Sequence, residues 1–152
     1  MTGRIEALFV FPDEGGAPVA KETARVHAGR GLEGDQRRTA HRAVTVLSLE
    51  QWKETMAELG TDLPLSTRRA NVIVSGVDLP SSVGKQLRLG GVTLEVVGET
   101  RPCGTMDAAY QGLKQALAPK LRAGVHGRVV QEGEIQIGDA VEIVAAGAIA
   151  EH

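Results

Sequence analysis

Residues 86–97 read Gln86-Leu87-Arg88-Leu89-Gly90-Gly91-Val92-Thr93-Leu94-Glu95-Val96-Val97, and their reading decides the fold. Two short runs rich in branched residues flank a Gly-Gly pair. That pattern predicts two antiparallel strands joined by a two-residue turn, because glycines supply the positive φ angles of a type I′ loop at no steric cost. The second strand leads directly into Thr100-Arg101-Pro102-Cys103-Gly104, so the hairpin delivers the only cysteine of the chain to a loop beyond a strand end.

Working outward, most of the remaining apolar residues also fall in short runs. Arg4 to Phe11 predicts a first strand, stopped by Pro12-Asp13-Glu14-Gly15-Gly16. Pro18 to Val26 is a weaker extended segment with Val19, Ala24 and Val26 facing inward. Ala43 to Leu47 and Val72 to Val74 read as strands, the latter central by its apolar density. Val125 to Val130, Glu134 to Ile137 and Ala140 to Val144 close the chain, with turns at Gly133 and Gly138-Asp139. Helical signals are fewer. Ser48 followed by Gln51 fits a capping box before a helix from Glu50 to Leu59, whose Leu49, Trp52, Met56 and Leu59 form one stripe and which Gly60 ends. Ala108 to Leu117 predicts a second helix, with Leu113 and Leu117 as an i,i+4 pair and Pro119 as a stop. Asp78 is expected to cap one short turn containing Pro80. Many short strands and few helices predict a mostly β fold: a closed or nearly closed β-barrel with mixed strand pairing and two or three short peripheral helices. One domain is expected over 1–152, with its core at about 4–144 and a loose alanine-rich tail at 145–152.

The totals narrow the function classes. A chain of 152 residues buries roughly two thirds of the surface its unfolded form exposes and needs no covalent staple. One cysteine permits no internal disulfide, and neither a targeting segment nor an apolar run of membrane-spanning length is read, so a cytoplasmic protein without membrane association is expected. The formal charge of -2 and the scarcity of aromatics, one Trp, one Tyr and two Phe, argue against a nucleic-acid partner.

Cys103 has two readings from its neighbourhood. It is either a small buried hydrophobe, or a reactive thiol held in a rigid Pro-Cys-Gly loop beside Arg101, whose charge favours the thiolate. A thiolate can attack an electrophile, carry a sulfane sulfur or bind a soft metal. The four histidines, His27, His41, His126 and His152, are scattered at no spacing that suggests a protease or a zinc cage. His41 is retained because it follows the glycine cluster; His27 and His126 read as structural. Gly29-Arg30-Gly31-Leu32-Glu33-Gly34-Asp35 is either a plain surface turn or a backbone cradle for an anion. Arg37, Arg38, His41 and Arg42, together with Arg68, Arg69 and Arg101, could collect a phosphate through guanidinium forks; the alternative for each is solvated surface charge. Asn71, at the start of a buried strand, must hydrogen-bond either a neighbouring loop or a ligand.

Taken together and in order, Gly31-Leu32-Glu33-Gly34-Asp35, Arg69-Ala70-Asn71-Val72-Ile73-Val74-Ser75-Gly76, Val83-Gly84, Leu87-Arg88-Leu89-Gly90, Arg101-Pro102-Cys103, Gly127-Arg128-Val129-Val130 and Gly133-Glu134-Ile135-Gln136-Ile137-Gly138-Asp139 resemble the MOSC domain, the molybdenum cofactor sulfurase C-terminal domain, in its short stand-alone bacterial type. The resemblance covers roughly residues 4–144 and implies a β-barrel that binds molybdenum cofactor or transfers sulfur. It implies Cys103 as molybdenum ligand or persulfide-carrying thiol, and Gly34, Asp35, Asn71 and Arg128 as matches to family positions. With the basic set already named, the expected cofactor contacts are Gly34, Asp35, Arg37, His41, Arg69, Asn71, Arg101 and Arg128. Some relatives reduce N-hydroxylated bases, which here would need an external electron donor. Others are attached to pyridoxal-phosphate desulfurase domains; no internal pyridoxal-phosphate site is expected here, and a cysteine desulfurase would be a separate partner. A non-catalytic binding or structural domain is the third reading. Two positions depart from many short relatives. Arg37 stands where they have a histidine, and Gly104-Thr105 follows Cys103 where a second cysteine is frequent, so a cysteine-pair mechanism within one chain is not available.

Overall fold

The computed structural model describes residues 2–13, 16–36, 39–100 and 104–145, with the side chains of His41 and Thr105 outside the description. The expected tail, apart from Ala145, falls outside it too. Within it, seven strands close a mixed barrel: β1 (Gly3–Val10), β5 (Val44–Ser48), β6 (Val72–Ser75), β7 (Gln86–Leu89), β8 (Val92–Glu99), β9 (Val125–Gln131) and β11 (Ala140–Val144). They run in the order β11-β7-β8-β9-β5-β6-β1, and the β1–β11 pairing closes the ring. A short β2 (Val19–Lys21) extends β1, and β3 (Thr23–His27), β4 (Gly31–Leu32) and β10 (Gly133–Gln136) form a separate three-stranded sheet.

All the barrel pairings are antiparallel except β5 with β6, which run parallel with Val46 opposite Val72 and Ser48 opposite Val74. A parallel pair needs a crossover, and α1 (Leu49–Leu59) supplies it. This explains why β5 and β6 are apolar without alternation. Val44, Val46, Val72 and Val74 point into the barrel among Ile5, Leu8, Leu87, Leu94 and Val125. Leu47 and Ile73 point outward into a second core with Trp52, Met56, Ala70, Met106, Leu113 and Leu117. Strands covered on both faces carry continuous hydrophobic runs. Among the described residues no helix is long and apolar enough to cross a membrane.

Several local expectations change in physical detail. The hairpin forms with Leu89 opposite Val92, but only Gly90 has a positive φ, 55°, so the turn lacks the two left-handed centres of type I′. The Pro18 to Val26 segment divides into β2 and β3; Ala24 and Val26 are buried, whereas Val19 is 41% exposed on an edge strand. The glycine cluster is not all surface loop, since β4 buries Gly31 and Leu32. The expected helix Ala108 to Leu117 is two, α2 (Gly104–Ala109) and α3 (Leu113–Leu117), separated at Gly112 with φ 90°. Asp107 Oδ1 accepts from Lys114 N at 3.0 Å inside the first turn of α3, while Leu113 and Leu117 are buried as the spacing predicts. Ser48 caps α1 by accepting from Gln51 N at 3.2 Å. The reciprocal arm of the capping box is missing, because Gln51 Nε2 donates to Lys120 O at 2.7 Å. The turn at Leu79–Ser82 forms, but the Asp78 side chain does not cap it.

Candidate functional site

The end of β1 organises the first half of the site. Gly34 takes φ 89°, which turns the chain so that Asp35 N donates to Leu32 O at 3.1 Å and Asp35 Oδ1 accepts from Phe11 N at 2.8 Å. Gln36 N donates to Phe11 O at 2.9 Å, completing a two-bond stitch between the glycine-aspartate loop and β1. Phe11, fully buried, carries the Arg69 guanidinium 4.3 Å from its ring centroid, a cation–π stack. Arg69 Nη1 donates to Gly16 O at 2.7 Å and Nη2 to Asp13 O at 3.2 Å. Arg69 itself has φ 63°, uncommon for a residue with a Cβ, and its N–H is bound to Ser66 O at 2.9 Å.

Two residues on, Asn71 ties three strands. It is fully buried; Oδ1 accepts from Thr45 N at 3.1 Å and Thr45 Oγ1 at 3.2 Å, and Nδ2 donates to Phe9 O at 3.2 Å. Its backbone pairs Phe9 N and Thr45 O at 2.8 and 3.1 Å. The partners expected from sequence are a neighbouring loop or a ligand; the structure supplies instead two neighbouring strands, through Thr45 of β5 and Phe9 of β1. Thr45 stands opposite His126 of β9, so the knot continues across the outer face of the sheet.

The second half is an excursion between adjacent strands β8 and β9. Thr100 N donates to Gly124 O at 2.8 Å, closing the base of a segment whose start carries Cys103. Gly124 has φ 98°, and a Cβ there would run into the Val46 carbonyl oxygen, so only glycine permits this close approach to β5. The excursion is fastened to α1. Met106, Leu113 and Leu117 pack on Trp52, Leu47 and Ile73, and Arg122, 4% exposed, donates to Glu58 Oε1 at 3.0 Å, Glu58 Oε2 at 2.6 Å, Ala116 O at 3.1 Å and Glu54 Oε1. The hydrogen bonds from Arg122, and its charge, hold both glutamate carboxyls below their ordinary pKa, and the pair in turn raises that of Arg122.

Cys103, Arg101 and Arg37 lie outside the described residues, as does the His41 side chain. Their flanks are informative. Helix α2, which begins directly after Cys103, packs on the Leu65–Arg68 turn that leads into Arg69 and Asn71. The Ala40–Arg42 turn, which contains His41, packs on β9. The structure thus brings Gly34, Asp35, Arg69 and Asn71 into one connected rim and packs helix α2 on the turn that leads into it. Arg128 is on the outer face of β9, where its Nε pairs with Glu95 Oε1 at 3.1 Å across the β8–β9 ladder, both side chains about half exposed.

Sequence reasoning missed Phe11, Thr45, Arg122 and Thr100. Thr100 is 3% exposed, and its Oγ1 has no hydrogen-bond partner among the described residues. A threonine directly before the cysteine loop was visible in the sequence, but an orphaned hydroxyl becomes apparent only once β8 and β9 are in register. Among the described residues no group of three His, Cys, Asp or Glu side chains gathers as a metal cage. Two clefts are lined elsewhere: one of about 310 Å³ by Ser48, Glu50, Gly76 and Asp78, and one of about 410 Å³ by Trp52, Met56, Leu63 and Leu65.

Comparison with solved structures finds the same fold at low identity. The YuaD protein of Bacillus subtilis is 21% identical with a TM-score of 0.79, over 95% of this chain and 97% of that one. YiiM of Geobacillus stearothermophilus is 18% identical with a TM-score of 0.73, over 96% and 77%. YiiM of Escherichia coli is 19% identical with a TM-score of 0.70, over 93% and 70%. No curated protein matches the sequence. A family model described as MOSC domain matches residues 23–142, a span that runs from β3 into β11 and takes in the glycine-aspartate loop, Asn71 with its partner Thr45, and the whole Cys103 excursion. By that match and by its barrel, the chain belongs to the MOSC domain family.

Proposed function

We propose that the protein holds a molybdopterin-type molybdenum cofactor where the Cys103 arm meets the Asp35–Arg69–Asn71 rim, with the Cys103 thiolate as the metal's protein ligand. The observation that carries this reading is the packing of α2, directly after Cys103, on the turn that leads into Arg69 and Asn71. The donor chemistry fits such a group. A thiolate is a soft ligand suited to a metal in sulfur-rich surroundings, and the buried Thr100 hydroxyl at the base of the arm leaves a polar function unused by the protein.

When bound, the cofactor supplies a redox-active metal. This chain's residues orient and neutralise it. Asp35 and Asn71 act through position, fixing the end of β1 and the starts of β5 and β6. Arg37, Arg101 and Arg128, together with His41, are the cationic groups this reading assigns to the terminal phosphate. Arg69 braces the rim through Gly16 and Asp13 and adds its charge.

Sulfur carriage is the second reading, favoured by the single thiol, since a persulfide formed on it cannot be resolved by another cysteine of the same chain. In that case the Cys103 thiolate attacks the terminal sulfur of a cysteine desulfurase persulfide. An S–S bond to Cys103 forms, and the donor cysteine leaves as its thiolate.

Protein produced in a cofactor-making host is expected to carry molybdenum by metal analysis and to release a fluorescent oxidised pterin, and Cys103→Ala is expected to lose the metal. Absence of metal and pterin, together with failure to bind purified cofactor, overturns the cofactor reading. A mass gain of one sulfur atom on Cys103 after incubation with a desulfurase and cysteine then selects the carrier.

A further inference from the structure

Between α3 and β9 two successive residues adopt an unfavourable backbone conformation. Lys120 and Leu121 have φ 57° and 55°, and a side chain in this left-handed region crowds its Cβ against the following carbonyl, so residues other than glycine enter it singly if at all. The next residue adds a second cost. Arg122 is 4% exposed and its Nε has no hydrogen-bond partner among the described residues, which leaves part of a buried cation unsatisfied. The conformation is enforced from α1. Gln51 Nε2 donates to Lys120 O at 2.7 Å, and Glu54 and Glu58 grip the Arg122 guanidinium from half-exposed positions. Strain of this kind persists only where its surroundings over-determine it.

The helices that precede this turn have little stability of their own. α2 has six residues and α3 five, too short to stand as isolated helices. They keep their form by docking Met106, Leu113 and Leu117 on Leu47, Trp52 and Ile73. Undocking one therefore undocks both, and it frees Lys120 and Leu121 to return to right-handed angles. The barrel loses no ladder in the process, because β8 and β9 pair below the excursion, from Thr93 opposite Gln131 to Glu99 opposite Val125.

We propose that residues 104–124 form a sprung arm that opens as one unit from a closed barrel, with Lys120 and Leu121 as its spring. Opening parts α2 from the Leu65–Arg68 turn on which it packs. That this clears a way to the rim for a bulky cofactor rests on the cofactor reading above; the opening itself does not, and it is measured on the cofactor-free protein.

Native-state hydrogen exchange at low urea tests it. The amides of Ala116, Arg122 and Gly124, bonded to Gly112 O, Pro119 O and Leu121 O, report on the arm, and those of Phe9 and Asn71, bonded to Asn71 O and Thr45 O, report on the barrel. The three arm amides are expected to exchange through one shared opening, at lower free energy and with a smaller urea slope than the barrel amides. Lys120 is exposed, so its side chain can be changed without touching the core. Lys120→Ala removes its contact with Glu54 and keeps the Cβ, whereas Lys120→Gly removes both. Relative to Lys120→Ala, Lys120→Gly is expected to slow arm exchange by about twofold to fivefold, the relief of the left-handed Cβ less the added freedom of glycine in the open state. Equal arm exchange in the two variants overturns the proposal by removing its spring. Arm amides that share the urea slope of Phe9 and Asn71, or that open each at its own free energy, overturn it by removing the separate unit.

Discussion

Asn71 and Thr100 are both buried polar side chains at the ends of barrel strands, one at the start of β6 and one after the end of β8. They are opposites in what they do with their polarity. Asn71 binds Thr45 N, Thr45 Oγ1 and Phe9 O through its amide, whereas Thr100 Oγ1 binds nothing among the described residues. The free-energy consequences differ in sign. A satisfied buried amide stabilises by what its removal would leave unpaired, while an orphaned hydroxyl subtracts. Polar burial therefore has two meanings in this fold. Around Asn71 it is scaffold, joining β1, β5 and β6; at Thr100 it is a local cost that stability alone gives no reason to keep, three positions in sequence before the cysteine on which the chemistry is proposed to depend.

The contrast is broken most forcefully at Asn71. Asn71→Leu keeps the volume approximately and removes the amide, leaving Thr45 N, Thr45 Oγ1 and Phe9 O short of partners in a site with no exposure. At about 1–3 kcal/mol for each buried group left unsatisfied, with partial relaxation, the loss is expected at about 3–5 kcal/mol, a large part of the stability of an ordinary domain. Urea denaturation checks it through a lower midpoint at unchanged slope. A midpoint close to wild type would show that Asn71 is dispensable to the scaffold.

A smaller effect is expected at the clasp that fastens the arm. Arg122 is buried, but Glu54 and Glu58 are about half exposed, so water competes for the carboxylates and the net contribution is below that of a sealed pair. Arg122→Met is expected to lose about 1–2 kcal/mol, the lower range for hydrogen bonds to charged groups. Its pH signature is more specific. Both glutamates have their pKa lowered in the fold, first by hydrogen bonds from Arg122. The stabilisation is therefore present above the unfolded glutamate pKa of 4.5 and is lost as pH falls through the lower folded values. Wild-type melting temperature is expected to fall more steeply than that of Arg122→Met as pH drops below that point. Parallel curves for the two proteins would remove the clasp from the account.

What the sequence could and could not disclose follows the same division. The runs Val44-Thr45-Val46-Leu47 and Val72-Ile73-Val74 are legible because strands covered on both faces must be apolar throughout, and the Gly90-Gly91 hairpin because its turn chemistry is local. Asn71 was conspicuous as an amide in an apolar run, yet its partners lie on strands far away in sequence and depend on register. The 108–117 stretch reads as one helix because Leu113 and Leu117 keep helical spacing, while the break just before them depends on Gly112 adopting a left-handed angle. Arg69 was read as an anion contact; its stack on Phe11 and its bonds to the 13–16 loop involve residues more than fifty positions away. Thr100 was visible only as a threonine before the cysteine loop, since the absence of a partner for its hydroxyl among the described residues is a property of the assembled barrel.

Arg69 and Arg128 repeat the contrast on the surface, and the smallest predicted effect comes from the second. Arg69 is engaged by two carbonyls and a ring, so its removal changes the rim as well as the charge. Arg128 has one ion pair, with Glu95, between half-exposed side chains, and such pairs contribute about 0–1 kcal/mol. Arg128→Gln is therefore expected to leave the urea midpoint within error of wild type. If Arg128 also serves the phosphate of an anionic cofactor, the same variant should weaken binding of purified cofactor at low salt and flatten its salt dependence, because one cation fewer is left for salt to screen. Equal affinity and equal salt dependence would confine Arg128 to its partner Glu95 and leave phosphate recognition to the residues around the Cys103 arm.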